Sequence, residues 1–264
     1  MNIPNCKSLI FEVSNDGTAV VTINRPEVRN AMNDSAWSEL DDITKYVEEN
    51  PDIRALIITG AGEKAFVAGA DIHALKDKAP VASLMNYNPA RHAVQKLESM
   101  SKPTIAAVNG YAFGGGCEIA LACDIRIGSE KAKFALPETG IGVIPALGGT
   151  QRLAKCVGMG VAKDMILSGR VIDATEALRC GLITYRCKPE DLIDEAKQIA
   201  SRIIRRSPIA IALAKTALGE AFNTAIQSGL AIEQLSFAVA TASEDKKEGV
   251  EAFLEKRPAV FPGA

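Results

Sequence analysis

The strongest constraint on the fold is an alternation. Short β-branched apolar runs at residues 18–23, 54–59, 104–108 and 124–127 are bounded by Gly, Asn or Pro, and they read as strands. Between the first two, Trp37, Leu40, Ile43 and Val47 recur at helical spacing behind Asn33, a side chain suited to cap a helix start. Asn50-Pro51 ends that helix. Strands alternating with helices predict an α/β chain with mostly parallel, buried strands.

The last third changes character. Asp173-Ala174-Thr175-Glu176 resembles a capping box, and Gly181 closes the short helix that it opens. Residues 191–204 are periodic through Leu192, Ile193, Ala196, Ile199, Ala200 and Ile203. Ser207-Pro208 predicts an N-cap with proline at the first helical position. An Ala-, Leu- and Ile-rich stretch follows to Ala242, and Ser243 opens a last helix that runs through Lys256. This all-helical region is more apolar than a lone surface helix needs. Packing between subunits and burial against the chain's own core both account for that. The expected division is a core over residues 1–195 and a helical oligomerisation region over 196–264.

Composition removes several function classes. The 264 residues are 47% apolar and 23% charged, an ordinary globular mix on a chain long enough to bury a core without staples. A net charge of −2 supplies no basic field to draw nucleic acid or an anionic membrane. An anionic substrate can still be held by local donors and helix ends. Cys6, Cys117, Cys123, Cys156, Cys180 and Cys187 are scattered without a C-x-x-C pair, so neither a disulfide framework nor a zinc site is expected. No stretch approaches the roughly 18 apolar residues of a membrane span. The opening Met1-Asn2-Ile3-Pro4-Asn5-Cys6-Lys7 lacks the apolar centre of a secretory leader and the Arg-rich amphipathic character of a mitochondrial one. The expectation is a cytoplasmic protein.

The chemistry concentrates in residues 109–118, Asn-Gly-Tyr-Ala-Phe-Gly-Gly-Gly-Cys-Glu, between a predicted strand and an apolar helix. Three glycines let the backbone turn sharply and let a ligand touch it, and the N–H groups of a helix start face that ligand. Such donors suit a carbonyl that gains negative charge. A tight strand-to-helix turn with no ligand explains the glycines alone equally well. The run fits neither the dinucleotide nor the phosphate-loop pattern. Glu118 falls in the first turn of that helix, where the dipole alone would favour it. Glu138, in Leu136-Pro137-Glu138-Thr139-Gly140, reads on its own as a loop residue. A third segment, Lys64 to Ile72, is small and apolar, and Asp71 is placed to cap a following helix.

Taken together these segments resemble the enoyl-CoA hydratase (crotonase) family. The resemblance is carried by Ala68-Gly69-Ala70-Asp71-Ile72, by Ala106-Ala107-Val108-Asn109-Gly110-Tyr111-Ala112 with Gly114-Gly115-Gly116-Cys117-Glu118, and by Pro137-Glu138. Gly148-Gly149-Thr150-Gln151-Arg152-Leu153, Glu176-Ala177, Gly181-Leu182, Glu248-Gly249 and Glu255-Lys256-Arg257 continue it in family order. It implies a spiral of ββα turns followed by helices that build homotrimers, often paired into homohexamers. It implies an acyl-CoA thioester substrate and no separate cofactor or metal, coenzyme A being part of the substrate. By position, Glu118 and Glu138 would be the catalytic pair, and the N–H groups of Ala70 and Gly115 the oxyanion hole. Ala68, Ala70, Asp71, Ile72, His73 and Gly115 would line the coenzyme A path, with Ala68 near the adenine. The implied reaction adds water across the 2,3 double bond of a short- to medium-chain trans-2-enoyl-CoA, giving 3-hydroxyacyl-CoA.

Two departures touch the site. Ala135-Leu136 stands where many hydratases have Gly-Gln, and Pro145-Ala146 stands where the family often has glycine after the proline. Both leave acyl chain length open. Presence of both glutamates favours hydration over isomerisation, which needs one carboxylate. A hydratase of cyclic dienoyl thioesters fits the same motif positions. A nucleophilic Cys117 and an RNA-binding surface at Arg202, Arg205 and Arg206 are the readings of other classes. A small packing residue and a solvated helix face explain those features with less.

Overall fold

The computed structural model describes residue 4 and residues 6–71 and 88–264. A large sheet has the order β1-β2-β3-β5-β7-β10, from strands Leu9–Val13 (β1), Thr18–Ile23 (β2), Ala55–Gly60 (β3), Thr104–Val108 (β5), Ile125–Ser129 (β7) and Tyr185–Cys187 (β10). A small sheet has the order β4-β6-β8-β9, from Ala65–Val67 (β4), Tyr111–Phe113 (β6), Lys133–Ala135 (β8) and Ile172–Asp173 (β9). β1 is antiparallel to β2, and every other pair of the large sheet is parallel. In the small sheet β4, β6 and β8 run parallel, and β9 is antiparallel to β8.

The chain alternates between the two sheets. β3, β5 and β7 lie in the large sheet, and each is followed by a small-sheet strand, β4, β6 or β8. Among the described residues an α-helix follows each time: Pro89–Ser99 (α2), Gly115–Ala122 (α3) and Gly149–Ser168 (α4). Three ββα turns in succession make the expected spiral. The first helix, Asp34–Glu49 (α1), starts as predicted, with the Asn33 side chain accepting from the Ala36 N–H at 2.9 Å.

The inner strands of the large sheet are covered on both faces, which is why β2, β3 and β5 are nearly continuous apolar runs. All six residues of β3 are buried. Leu56 and Ile58 join the main core with Leu40 and Ile43 of α1, while Ala55 and Ile57 face the other way. There they meet Leu192, Ala196, Ile199 and Ala200 of the helix Leu192–Ile204 (α6). The division expected at residue 195 falls inside this helix. The preceding short helix, Ala174–Arg179 (α5), is capped by Asp173, which accepts from the Glu176 N–H at 2.8 Å. The Glu176 carboxylate turns to Arg170.

Pro208–Gly219 (α7), Ile226–Thr241 (α8) and Glu244–Glu255 (α9) complete the chain. Ser207 and Ser243 cap α7 and α9 through the N–H groups of Ala210 and Lys246. α7 and α8 contain no buried residue, so burial within this chain does not explain their apolar composition. Among the described residues no helix is long and apolar enough to cross a membrane.

Candidate active site

The register of the small sheet assembles the site. Phe113 at the end of β6 pairs with Ala135 at the end of β8, so the segments that leave these strands run side by side. The Gly114 N–H donates to the Ala135 carbonyl at 3.0 Å and ties the two exits together. Parallel strands commonly open their ligand crevice at these carboxyl ends. Gly114 has φ +52°, a conformation that favours glycine, and a Cβ there would lie 3.1 Å from Glu138 Oε1. The bare glycine therefore turns the chain into α3 and leaves room for the Glu138 carboxyl.

β4 brings the third segment alongside. Ala70 pairs with Met32 in an isolated parallel bridge, in which the Met32 N–H donates to Gly69 O and the Asp71 N–H to Met32 O, both at 2.9 Å. Those bonds use the groups flanking Ala70, so its own N–H points to the opposite edge. A Cβ placed on Gly115 would lie 3.8 Å from the Ala70 nitrogen and 3.4 Å from the Trp37 ring. Gly115 opens α3, and its N–H therefore has no partner within the helix. Gly115 and the Ala70 nitrogen, from different strand exits, thus lie close together beside a buried indole. Ala68 and Asp71 flank them in the same segment. Ile72 and His73 lie outside the described residues, as does the helix that Asp71 was expected to cap.

The two glutamates meet different surroundings. Glu118 is 2% exposed, and its Oε1 accepts from the N–H groups of Leu147 and Gly149 at 2.7 and 2.8 Å. Burial pushes its carboxyl above the ordinary value, while those two N–H groups and the Arg152 charge pull it down. Glu138 opens the 3₁₀ turn Glu138–Ile141, and its Oε2 is buried without a hydrogen-bond partner among the described residues. Burial, and then the charge of Glu118, raise its carboxyl to about 7. One carboxyl is thus wired to donors that prefer the anion. The other is placed to keep a proton near neutral pH. Cys117, next to Glu118 in sequence, is fully buried, and burial pushes its thiol far up, the reverse of what a nucleophile needs.

Sequence reasoning located both glutamates and the glycine turn but missed what holds them. Nothing in a side-chain pattern announces that the N–H groups of Leu147 and Gly149 bind Glu118. The adjacent Gly148-Gly149 pair was the available signal. Leu136, one of the two residues that depart from Gly-Gln, is fully buried in the main core.

Comparisons with known proteins agree with this geometry. Residues 13–264 match the family described as Enoyl-CoA hydratase/isomerase. The short-chain-enoyl-CoA hydratase of Clostridium acetobutylicum is 45% identical over 239 residues, 90% of this chain and 92% of that protein. The crotonyl-CoA hydratase of Syntrophomonas wolfei is 44% identical over 243 residues, 92% and 94% of the two chains. Among solved structures, an enoyl-CoA hydratase from Bacillus anthracis has a TM-score of 0.93 at 35% identity and covers 98% of this chain and 100% of that one. On sequence, fold and the strand exits that carry its two glutamates, the chain belongs to the enoyl-CoA hydratase/isomerase family.

Proposed function

We propose that this protein is an enoyl-CoA hydratase that adds water to a short- to medium-chain trans-2-enoyl-CoA. One observation carries the reading: Glu118 and Glu138 lie together at the strand exits, burial raises both carboxyls, and two backbone N–H groups oppose that rise at Glu118 while Oε2 of Glu138 has no partner among the described residues. The N–H groups of Ala70 and Gly115 receive the thioester oxygen. Each such donor is worth about 3–4 kcal/mol as charge develops there. Polarisation of the carbonyl makes C3 of the conjugated alkene electrophilic. Glu118 takes a proton from a water that attacks C3, and Glu138 delivers its proton to C2. Atoms balance: the water's oxygen and one hydrogen end on C3, its other proton goes to Glu118, the Glu138 proton goes to C2, and transfer of a proton from Glu118 to Glu138 through solvent resets the pair. Ala68, Ala70, Asp71 and Gly115 border the coenzyme A on this reading, with Ala68 near the adenine.

The test is loss of the conjugated enoyl-thioester absorbance of crotonyl-CoA, in the parent and in Glu118→Gln and Glu138→Gln. General acid–base help is worth about 10²–10⁴-fold, and each variant should lose activity on that scale. A folded parent that leaves crotonyl-CoA untouched, or variants as active as the parent, would refute the two-glutamate hydration. Double-bond migration that survives in one variant would instead favour isomerisation, which needs a single carboxylate. The protein is further proposed to act in the cytoplasm and as a homotrimer or homohexamer, the association being supported by the bare apolar faces of α7 and α8.

A further inference from the structure

Among the described residues Glu118 is held only by backbone donors, and something must hold that backbone. Its oxygen accepts from the N–H groups of Leu147 and Gly149, which flank the 147–148 peptide unit. The carbonyl of that middle unit, Leu147 O, accepts from Arg152 Nη1 at 2.6 Å. The other end of the guanidinium, Nη2, pairs with Glu98 Oε2 at 2.6 Å, and Glu98 sits on α2. The Arg152 side chain is 12% exposed and Glu98 is 54% exposed, so the arginine is the buried link and the glutamate its outer anchor. A Cβ on Gly148 would fall 2.1 Å from Nη1, so the guanidinium occupies the space that a side chain at 148 would take.

Resting on the hydratase reading above, we propose that Arg152, anchored by Glu98, is a positioning residue that locks the 147–149 strap so that its two N–H groups stay aimed at Glu118. Its fork geometry suits the task, since one planar group reaches a carbonyl and a carboxylate at once. Without it the 147–148 peptide is free to rotate, and a rotation would swing one or both donors off the carboxylate. The charge acts in the same direction. Glu118 faces the Arg152 cation from α4, the Glu138 carboxyl from the 3₁₀ turn and the buried Cys117 thiol, and among these only Arg152 favours the anion. Losing Arg152 therefore costs Glu118 both its aligned donors and a nearby positive charge.

The experiment compares the parent with Arg152→Met, Arg152→Lys and Glu98→Gln in two readouts. The first is the pH profile of crotonyl-CoA hydration. Arg152→Met should lower kcat by roughly 10- to 100-fold, the scale of a small misplacement at a reacting centre. KM should stay within about twofold, because the strap is not on the coenzyme A path. The acid limb of kcat should move to higher pH, since Glu118 must be ionised to act as base. Arg152→Lys should restore part of the rate and of the limb. Glu98→Gln, at an exposed position that does not threaten folding, should shift both in the same direction by less. The second readout is the midpoint of the Glu118 carboxyl-carbon resonance, assigned by its loss in Glu118→Gln. It should rise in Arg152→Met and Glu98→Gln whether or not crotonyl-CoA is the substrate. An inactive parent with these shifts would overturn the hydratase reading and leave the positioning role standing. Unmoved limb and resonance in Glu98→Gln and in whichever Arg152 variant folds would overturn the positioning role, even with lowered activity.

Discussion

At the scale of the residue, Glu138 shows a site group set against the stability of its fold. Its carboxyl has an ordinary value of 4.5 and is raised to about 7 in the folded chain, chiefly by burial. The native state therefore holds this proton more tightly than the unfolded chain does. As pH rises from 4.5 toward 7 the unfolded chain releases its proton first, and stability falls across that window. The Glu138→Gln variant carries no ionisable group there. Above pH 7 it should be more stable than the parent by on the order of 1–2 kcal/mol, a figure discounted because the residue is only half-buried. The advantage should vanish near pH 4.5. Urea unfolding at pH 4.5 and pH 8, at one protein concentration, measures it. An equal difference at both pH values would assign the effect to altered packing and not to ionisation. The same group predicts an alkaline fall in kcat, as Glu138 loses the proton that C2 must receive.

At the scale of the element, α4 links the two glutamates. Its N-terminal end carries the strap that holds Glu118, and near its C-terminal end the Ile166 carbonyl accepts from Thr139 Oγ1 at 2.9 Å, beside Glu138. Between the two ends the helix breaks at Gly158, with φ +79° and ψ 159°. A Cβ at Gly158 would meet nothing within 4 Å, so backbone conformation alone requires the glycine. Gly158→Ala should destabilise the protein by about 1–2 kcal/mol. It should also lower kcat more than it changes KM, because re-angling one half of α4 moves one glutamate against the other. Full activity with the stability loss would show that the two halves are not coupled. Residue pattern did not mark this helix, because Gly158-Met159-Gly160 interrupts any periodicity. The strands at 18–23 and 104–108 were legible with their bounds, since burial on both faces demands an unbroken apolar run. The small sheet was not legible from residue pattern. Lys133-Phe134-Ala135 and Tyr111-Ala112-Phe113 are too short to alternate, and only the family resemblance implied them. At the site, carboxylates and glycines left a signature in the sequence, whereas the backbone donors that hold Glu118 left no more than the Gly148-Gly149 pair.

At the scale of the whole molecule, the spiral and the helical end obey different rules. The spiral covers both faces of its large sheet with its own residues. The helical end leaves Phe222, Leu235, Phe237 and Phe253 exposed at 73, 68, 70 and 83%. Fully burying one such side chain is worth about 1.5–3 kcal/mol, so a surface holding several is strongly driven to find a partner. A closed homo-oligomer is the simplest partner, because every copy presents the same patch. Light scattering of the parent should give a mass near three or six times that of one chain. Phe237→Asp puts a charge where α8 is to be covered, and it should shift the distribution toward single chains with far-UV circular dichroism unchanged. The spiral's core lies on other elements, so the dissociated chain should stay folded. It should also unfold at lower denaturant, because the stability contributed by association is lost. A parent that scatters as a single chain would leave these side chains without the role argued for them. A Phe237→Asp variant of unchanged mass would place the interface on α7 or α9 and clear α8 of it.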